Sequence, residues 1–187
     1  AINNLELDKL NKFKFSQKKL TYFNFNYTYS EIIEPLKKVI KNKKYGRLLY
    51  IYIHSSHGLY FKKNKFKKNR FNKNNIYENI YGNLGVHYIS LLSTFFKKIN
   101  IENVSLKSFN NNDQIDTANV DILLNDKIKV NLFLSYSTIY TQKIILFFNN
   151  ASIEYENNKI LEYYPRDTFN QKGNFIKPKQ KTLKKNI

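Results

Sequence analysis

Apolar residues repeat along this chain with two different periods, and the change of period divides it. Between residues 5 and 13, Leu5, Leu7, Leu10 and Phe13 are spaced by two, three and three, which predicts a short helix. From Leu20 to Tyr27 aromatic and polar residues alternate, with Tyr22, Phe23, Phe25 and Tyr27 prominent, and this reads as a strand. Ile32, Ile33, Leu36, Val39 and Ile40 then form a helical stripe. Thr28 and Glu31 have capping-box spacing ahead of it, Pro35 lies just inside its start, and Gly46 marks a stop and turn. Leu48 to His54 is a second strand. Gly82 to Lys98 reads as a glycine-bracketed turn followed by an apolar helix.

After Val104 the period is two. Strands are predicted over Val104–Phe109, Thr117–Leu124, Ile128–Tyr136, Lys143–Phe148, Ser152–Glu156 and Ile160–Tyr164. Their separators are Asn125-Asp126, Asn149-Asn150 and Asn157-Asn158, which suit hairpins because asparagine tolerates a positive φ. The expected fold class is α+β: a large, mostly antiparallel open sheet with two or three helices on one face. Residues 1–187 read as a single domain without internal repeats, and 165–187 as a polar, basic tail that either wraps the domain or hangs free.

Composition narrows the function. The formal net charge of +18 points first to nucleic acid or an anionic membrane. Yet only Arg47, Arg70 and Arg166 are arginines, and specific readers of bases rely on the forked guanidinium. The lysine surplus accompanies an excess of Asn, Ile, Phe and Tyr, all with AT-rich codons. It is read as genome bias over a solvated surface, so a nucleic-acid partner is not expected. The interleaved Tyr and Phe could stack bases, but such residues more often fill a core or a buried sheet face. With no cysteine, disulfides and thiolate metal sites are excluded. No apolar run reaches the ~20 residues of a membrane span, and no secretory signal opens the chain, so a cytoplasmic location is the default.

Few residues look catalytic. The segment Gly82-Asn83-Leu84-Gly85-Val86-His87 places one histidine at the mouth of the apolar helix that begins with Tyr88-Ile89-Ser90. A histidine titrates near neutral pH and can act as general base or acid. His54 and His57 form a His-x-x-His pair, but on a strand a three-residue offset points to opposite faces, and no acid or cysteine completes a ligand set. No metal site is expected. Arg70, among Lys62, Lys63, Lys65, Lys67, Lys68 and Lys73, could hold an anionic group bidentately or could belong to a solvated basic loop.

The order strand, helix, strand, loop, glycine turn, histidine helix, then a run of strands resembles the C-terminal domain of the Gfo/Idh/MocA oxidoreductases. Their helix motif reads roughly Gly-x-x-x-Asp-x-Gly-x-His, so Asn83 falls where the family carries aspartate. Phe23-Asn24-Phe25-Asn26-Tyr27, Lys44-Tyr45-Gly46-Arg47-Leu48, Asn69-Arg70-Phe71, Ser56-His57-Gly58-Leu59 and Tyr164-Pro165-Arg166-Asp167-Thr168-Phe169 resemble further family blocks, in family order. The resemblance implies the substrate-binding and oligomerisation half of an NAD(P)-dependent oxidoreductase acting on a sugar, sugar nucleotide or polyol. It implies His87 and Asn83 as catalytic residues, with Arg70 and His57 as substrate-binding ones. Neither Gly-x-Gly-x-x-Gly nor the family's Glu-Lys-Pro occurs, so NAD or NADP is expected only with an N-terminal nucleotide-binding half; the isolated chain should be inactive. Ala1 to Phe15 resembles the helix that follows Glu-Lys-Pro, which favours a chain severed near that junction. The resemblance also implies a homo-oligomer formed through the open sheet face. A non-catalytic relative, suggested by Asn83, and a basic nucleic-acid-binding module are the alternatives.

Overall fold

A computed structural model describes residues 30–58, 80–109, 115–156, 159–164, 170–175 and 179–184. The predicted elements over residues 5–13 and 20–27, the basic loop 62–75, Arg70 and the Asn157-Asn158 separator lie outside them.

Helix α1 spans Ile33–Lys41 and buries Ile33, Leu36 and Val39, the stripe expected of an amphipathic helix. Glu34 in its first turn and Lys38 and Lys41 in its last suit the helix dipole. Its start differs from the capping-box expectation. Ile32 occupies the cap position without a side-chain hydrogen bond, and Thr28 is outside the described residues. Pro35 is the third helical residue, where the missing N–H is harmless because first-turn donors have no intrahelical acceptor. A short 3₁₀ turn, Lys43–Tyr45, ends at Gly46, whose φ of 81° and ψ of −154° admit the chain to the sheet.

The sheet has eight strands in the order β2-β3-β4-β1-β5-β6-β7-β8. They are β1 Leu48–Ser56, β2 Ile99–Lys107, β3 Thr117–Leu124, β4 Ile128–Ser135, β5 Thr141–Phe148, β6 Ser152–Glu156, β7 Lys159–Tyr164 and β8 Lys179–Lys184. All neighbours run antiparallel except β1 and β4, which are parallel, with Ile53 opposite Leu132. A parallel pair needs a crossover, and the long connection from β1 supplies it. It carries helix α2, Val86–Ser93, across one face. Tyr88, Leu91 and Leu92 of α2 and the buried face of α1 join Ile51, Ile53, Val130, Leu132 and Ile144 in one core. The α+β sheet with helices on one face is therefore the fold.

Three predicted features moved. The strand expected at Val104–Phe109 starts at Ile99 and ends at Lys107. It is an edge strand, so most of its residues are exposed and the half-buried alternation that marks a strand is missing at Ile99–Asn103. The tail supplies β8, which pairs with β7. Of the asparagine hairpins, Asn125 and Asp126 adopt φ of 49° and 59°, as a tight two-residue turn requires. Asn149 and Asn150 do not adopt positive φ. Their N–H groups donate instead to the carbonyls of Arg47 and Tyr45, both at 3.1 Å, which ties the β5–β6 turn to the entry of β1.

The opposite face of the sheet carries Tyr50, Tyr52 and His54 of β1, Asn131 and Phe133 of β4, and Lys143 and Phe147 of β5, all at least partly solvent-accessible. Tyr50 packs on Phe147 at 5.7 Å. Lys143 bridges Glu154 and Glu156. The Asn131 amide donates to Asn119 at 2.7 Å and to Asp121 at 2.9 Å. The face is thus a mixed aromatic and polar surface on which Lys143 is ion-paired.

Candidate active site

The glycine pair does not make a turn. Residues Tyr81–Gly85 form a π-helical turn that runs directly into α2. Here the backbone bonds reach one residue further than in an α-helix, a distortion that recurs at functional sites. Two glycines in five residues relax the side-chain crowding that otherwise disfavours it. Gly85 is buried, and the turn packs against β4. The run already includes Ile80, so His87 stands inside it rather than at its mouth.

Asn83 and His87, four residues apart, share one side of this run and are both half-buried. Burial holds the His87 imidazole below its ordinary pKa, because the charged ring would lose water. At neutral pH the ring is therefore neutral and able to accept a proton. The next residue, Tyr88, is fully buried beneath it. Tyr155 of β6 has its phenol pushed up by burial, then by Tyr140 and Tyr88.

His57 lies elsewhere in the fold, just past the end of β1. Its N–H donates to the Ser135 carbonyl at 3.0 Å, and its ring packs on Tyr136 with centroids 4.7 Å apart. The strand ends around it hold a buried polar cluster that sequence reasoning missed. Asp116 is 1% exposed. Its carboxylate accepts the Phe109 N–H at 3.2 Å and the Thr117 hydroxyl at 3.0 Å, and Thr117 in turn meets the Ser135 hydroxyl at 3.0 Å. An acid preceding a strand gives no sign in the sequence that it will be buried; only the joining of β3 to β4 encloses it.

His54 is on the open face, away from the helices. Its ring meets Phe133 edge-on at 4.9 Å, and its Nε2 is shielded without a hydrogen-bond partner. Burial first, and then Lys143 opposite, hold its pKa down. Among the described residues no group of three or more His, Asp or Glu side chains could hold a metal ion, and no helix is long and apolar enough to cross a membrane.

Two of the cavities bordered by described residues can be placed, and neither of these is lined by His87, Asn83 or His57. One, of about 450 Å³, lies along α1 between Glu31, Glu34, Lys38, Asn42 and Tyr45. The other, of about 350 Å³, is wholly apolar and lies between α2 and the sheet edge, against Val86, Ile89, Val104 and Leu106. The geometry thus places Asn83 with His87 on the π-turn and helix, and His57 on a separate buried polar network.

The profile of the GFO/IDH/MocA C-terminal domain matches residues 33–154, which contain both helices, strands β1 to β5 and the start of β6. The chain belongs to the GFO/IDH/MocA family. Comparison with curated proteins finds no match. Among solved structures, an inositol dehydrogenase homolog from Azotobacter vinelandii, complexed with NADH and myo-inositol, superposes with a TM-score of 0.74 at 15% identity, covering 98% of this chain and 47% of that one. An NAD-binding oxidoreductase from Klebsiella pneumoniae gives a TM-score of 0.76 at 15% identity, covering 98% and 52%. A UDP-N-acetylglucosamine 3-dehydrogenase from Acidithiobacillus ferrooxidans gives 0.69 at 14%, covering 98% and 53%. At such identities the likeness establishes the fold. The chain spans about half the length of these structures.

A dinucleotide cradle of the usual kind needs a glycine-rich loop between a strand and a helix, with free N–H groups facing the pyrophosphate. In this chain Gly82 and Gly85 sit inside a helical run whose N–H groups serve the helix. The described residues therefore do not form such a cradle.

Proposed function

We propose that this chain is the substrate-binding and proton-transferring half of an NAD(P)-dependent oxidoreductase acting on a sugar, sugar nucleotide or polyol. In this reading NAD or NADP binds to a nucleotide-binding half outside the chain. The observation that carries it is His87: a neutral, half-buried imidazole on a π-distorted helix, the one histidine set at a backbone irregularity of a kind common at active sites. Its role is to exchange a proton with the hydroxyl that becomes a carbonyl. Asn83 orients the ring but, having no charge, leaves the imidazolium without the stabilisation an aspartate would supply. His57 and Arg70 are assigned to the substrate, Arg70 by its fork of donors toward an anionic group. The substrate class is supported by the myo-inositol and UDP-N-acetylglucosamine named for the related structures.

The open sheet face is assigned to a homo-oligomer in the cytoplasm. Its aromatic members Tyr50, Tyr52 and Phe133 are only partly covered in the single chain, and Phe147 is 38% exposed. Light scattering that returns a monomer at tens of micromolar would remove this part of the reading.

The chemical part is tested by joining the chain to a nucleotide-binding half and following the reduced nucleotide during turnover of polyols and nucleotide sugars. His87→Gln is expected to lower kcat by at least ~10²-fold, the usual scale for a lost general base, with substrate affinity retained. Unchanged kcat in that variant would overturn the assignment of His87.

A further inference from the structure

We infer that strand β2 is a self-complementary edge through which two copies of this chain extend one sheet into the other. β2 is the terminal strand of the sheet, and among the described residues it pairs only with β3, with no other strand along its outer row of N–H and C=O groups. The usual protections of an edge are weak here. The strand contains no proline, and its single bulge lies at one end, between Ile101 and Asn103. On the helix side of the sheet, Ile101, Val104 and Leu106 are 59%, 48% and 38% exposed. They are contiguous with the apolar groove under α2, whose floor is Val120, Leu132 and Leu134. An added strand would complete both the ladder and this stripe.

A second copy fits better than an arbitrary peptide for two reasons. The first is charge. The chain carries +18 overall, which opposes self-association, but β2 holds one acid, Glu102, and one base, Lys107. Two copies can therefore meet here with no net charge on either strand. The second is register. Val104 and Leu106 share the helix-side face, opposite Val120 and Ala118, while Asn103, Ser105 and Lys107 share the other. Antiparallel pairing about a two-fold axis at Ser105 sets Val104 opposite Leu106 of the second copy, twice, and Asn103 opposite its Lys107. Side chains then stay on matching faces, as a ladder requires. This contact uses the sheet edge, so it is independent of the open-face association proposed above.

The absence of cysteine makes the test direct. At the two-fold axis Ser105 faces its own copy across about 4.5–5.5 Å between Cα atoms, within disulfide reach. The full chain carrying Ser105→Cys is expected to form a covalent dimer under mild oxidation, much faster than a Lys172→Cys control at an exposed turn. Adding Val104→Lys and Leu106→Lys, both at solvent-exposed positions, should abolish the cross-link while circular dichroism shows an unchanged fold. Tyr52→Lys on the open face should leave it intact. Cross-linking no faster than the Lys172→Cys control would overturn the edge. So would a cross-link lost in Tyr52→Lys but kept in the Val104/Leu106 variant; that result would assign the contact to the open face.

Discussion

Gly46→Ala separates backbone strain from packing in this fold. Gly46 joins the 3₁₀ turn after α1 to β1, with φ 81° and ψ −154°. That region of backbone space is nearly closed to any residue with a Cβ, and occupying it costs roughly 1–3 kcal/mol. A Cβ built there would lie 3.1 Å from the Asn149 Cβ and 3.1 Å from the Asn150 amide nitrogen. Carbon pairs prefer about 3.5–4.0 Å, so the β5–β6 turn must move. It cannot do so freely, because the N–H groups of Asn149 and Asn150 are bonded to Arg47 and Tyr45. Overpacking of this kind adds roughly 1–3 kcal/mol. The expected total is about 2–6 kcal/mol, or about 4–24 °C in Tm for a domain of this size. Gly173→Ala supplies the comparison. Its φ is 77°, but nothing lies within 4 Å of the added carbon, so it should lose about 1 kcal/mol from the backbone alone. Urea denaturation and calorimetry of the two variants measure the difference. If Gly46→Ala falls within about 0.5 kcal/mol of the parent, both the strain and the clash are wrong.

Other consequences are equally open to measurement. His54 and His87 both have lowered pKa values, with burial as the leading cause, so the unfolded chain binds more protons than the folded one below the ordinary value of 6.5. Their stability contribution is complete above that pH and declines as pH falls from it toward the lowered folded values. A His54→Gln/His87→Gln double variant should flatten the slope below pH 6.5 in denaturant titrations, and an unchanged slope would contradict the burial of both rings. Ile53→Ala empties a fully buried position on the central strand and should destabilise the chain by about 2–5 kcal/mol; a loss under ~1 kcal/mol in urea melts would mean the site is not packed as described. In a protein joined to a nucleotide-binding half, Asn83→Asp should raise kcat and, in the oxidation direction where His87 is the base, move the acidic limb of the pH–rate profile up by about one unit, since a neighbouring carboxylate favours the imidazolium. No shift in that limb would separate Asn83 from the chemistry.

The candidate site was partly legible in the chain. His87 was marked by its glycines and by the apolar residues after it, and Asn83 by its spacing. The π-turn was hidden, because glycine before a helix reads equally as a turn. Asp116 was hidden as well, because burial of a carboxylate depends on which strands close over it. His57 was expected among the substrate-binding residues, but its surroundings could not be read from the chain. The fold assigns it a place on Tyr136 and Ser135, at the end of the parallel β1–β4 pair.

What the amino-acid order settled by itself was local. The stripe of Ile33, Leu36 and Val39 specifies a helix, strict alternation specifies β3 and β6, and Asn125-Asp126 specifies a hairpin, because each signal repeats within one or two turns of chain. What only the tertiary structure decided was non-local. It set β1 between β4 and β5, brought residues 179–184 onto the far edge, left β2 exposed at the other, and enclosed Asp116. Those outcomes rest on pairings between segments tens of residues apart, and sequence periodicity carries no information about which strand will lie beside which.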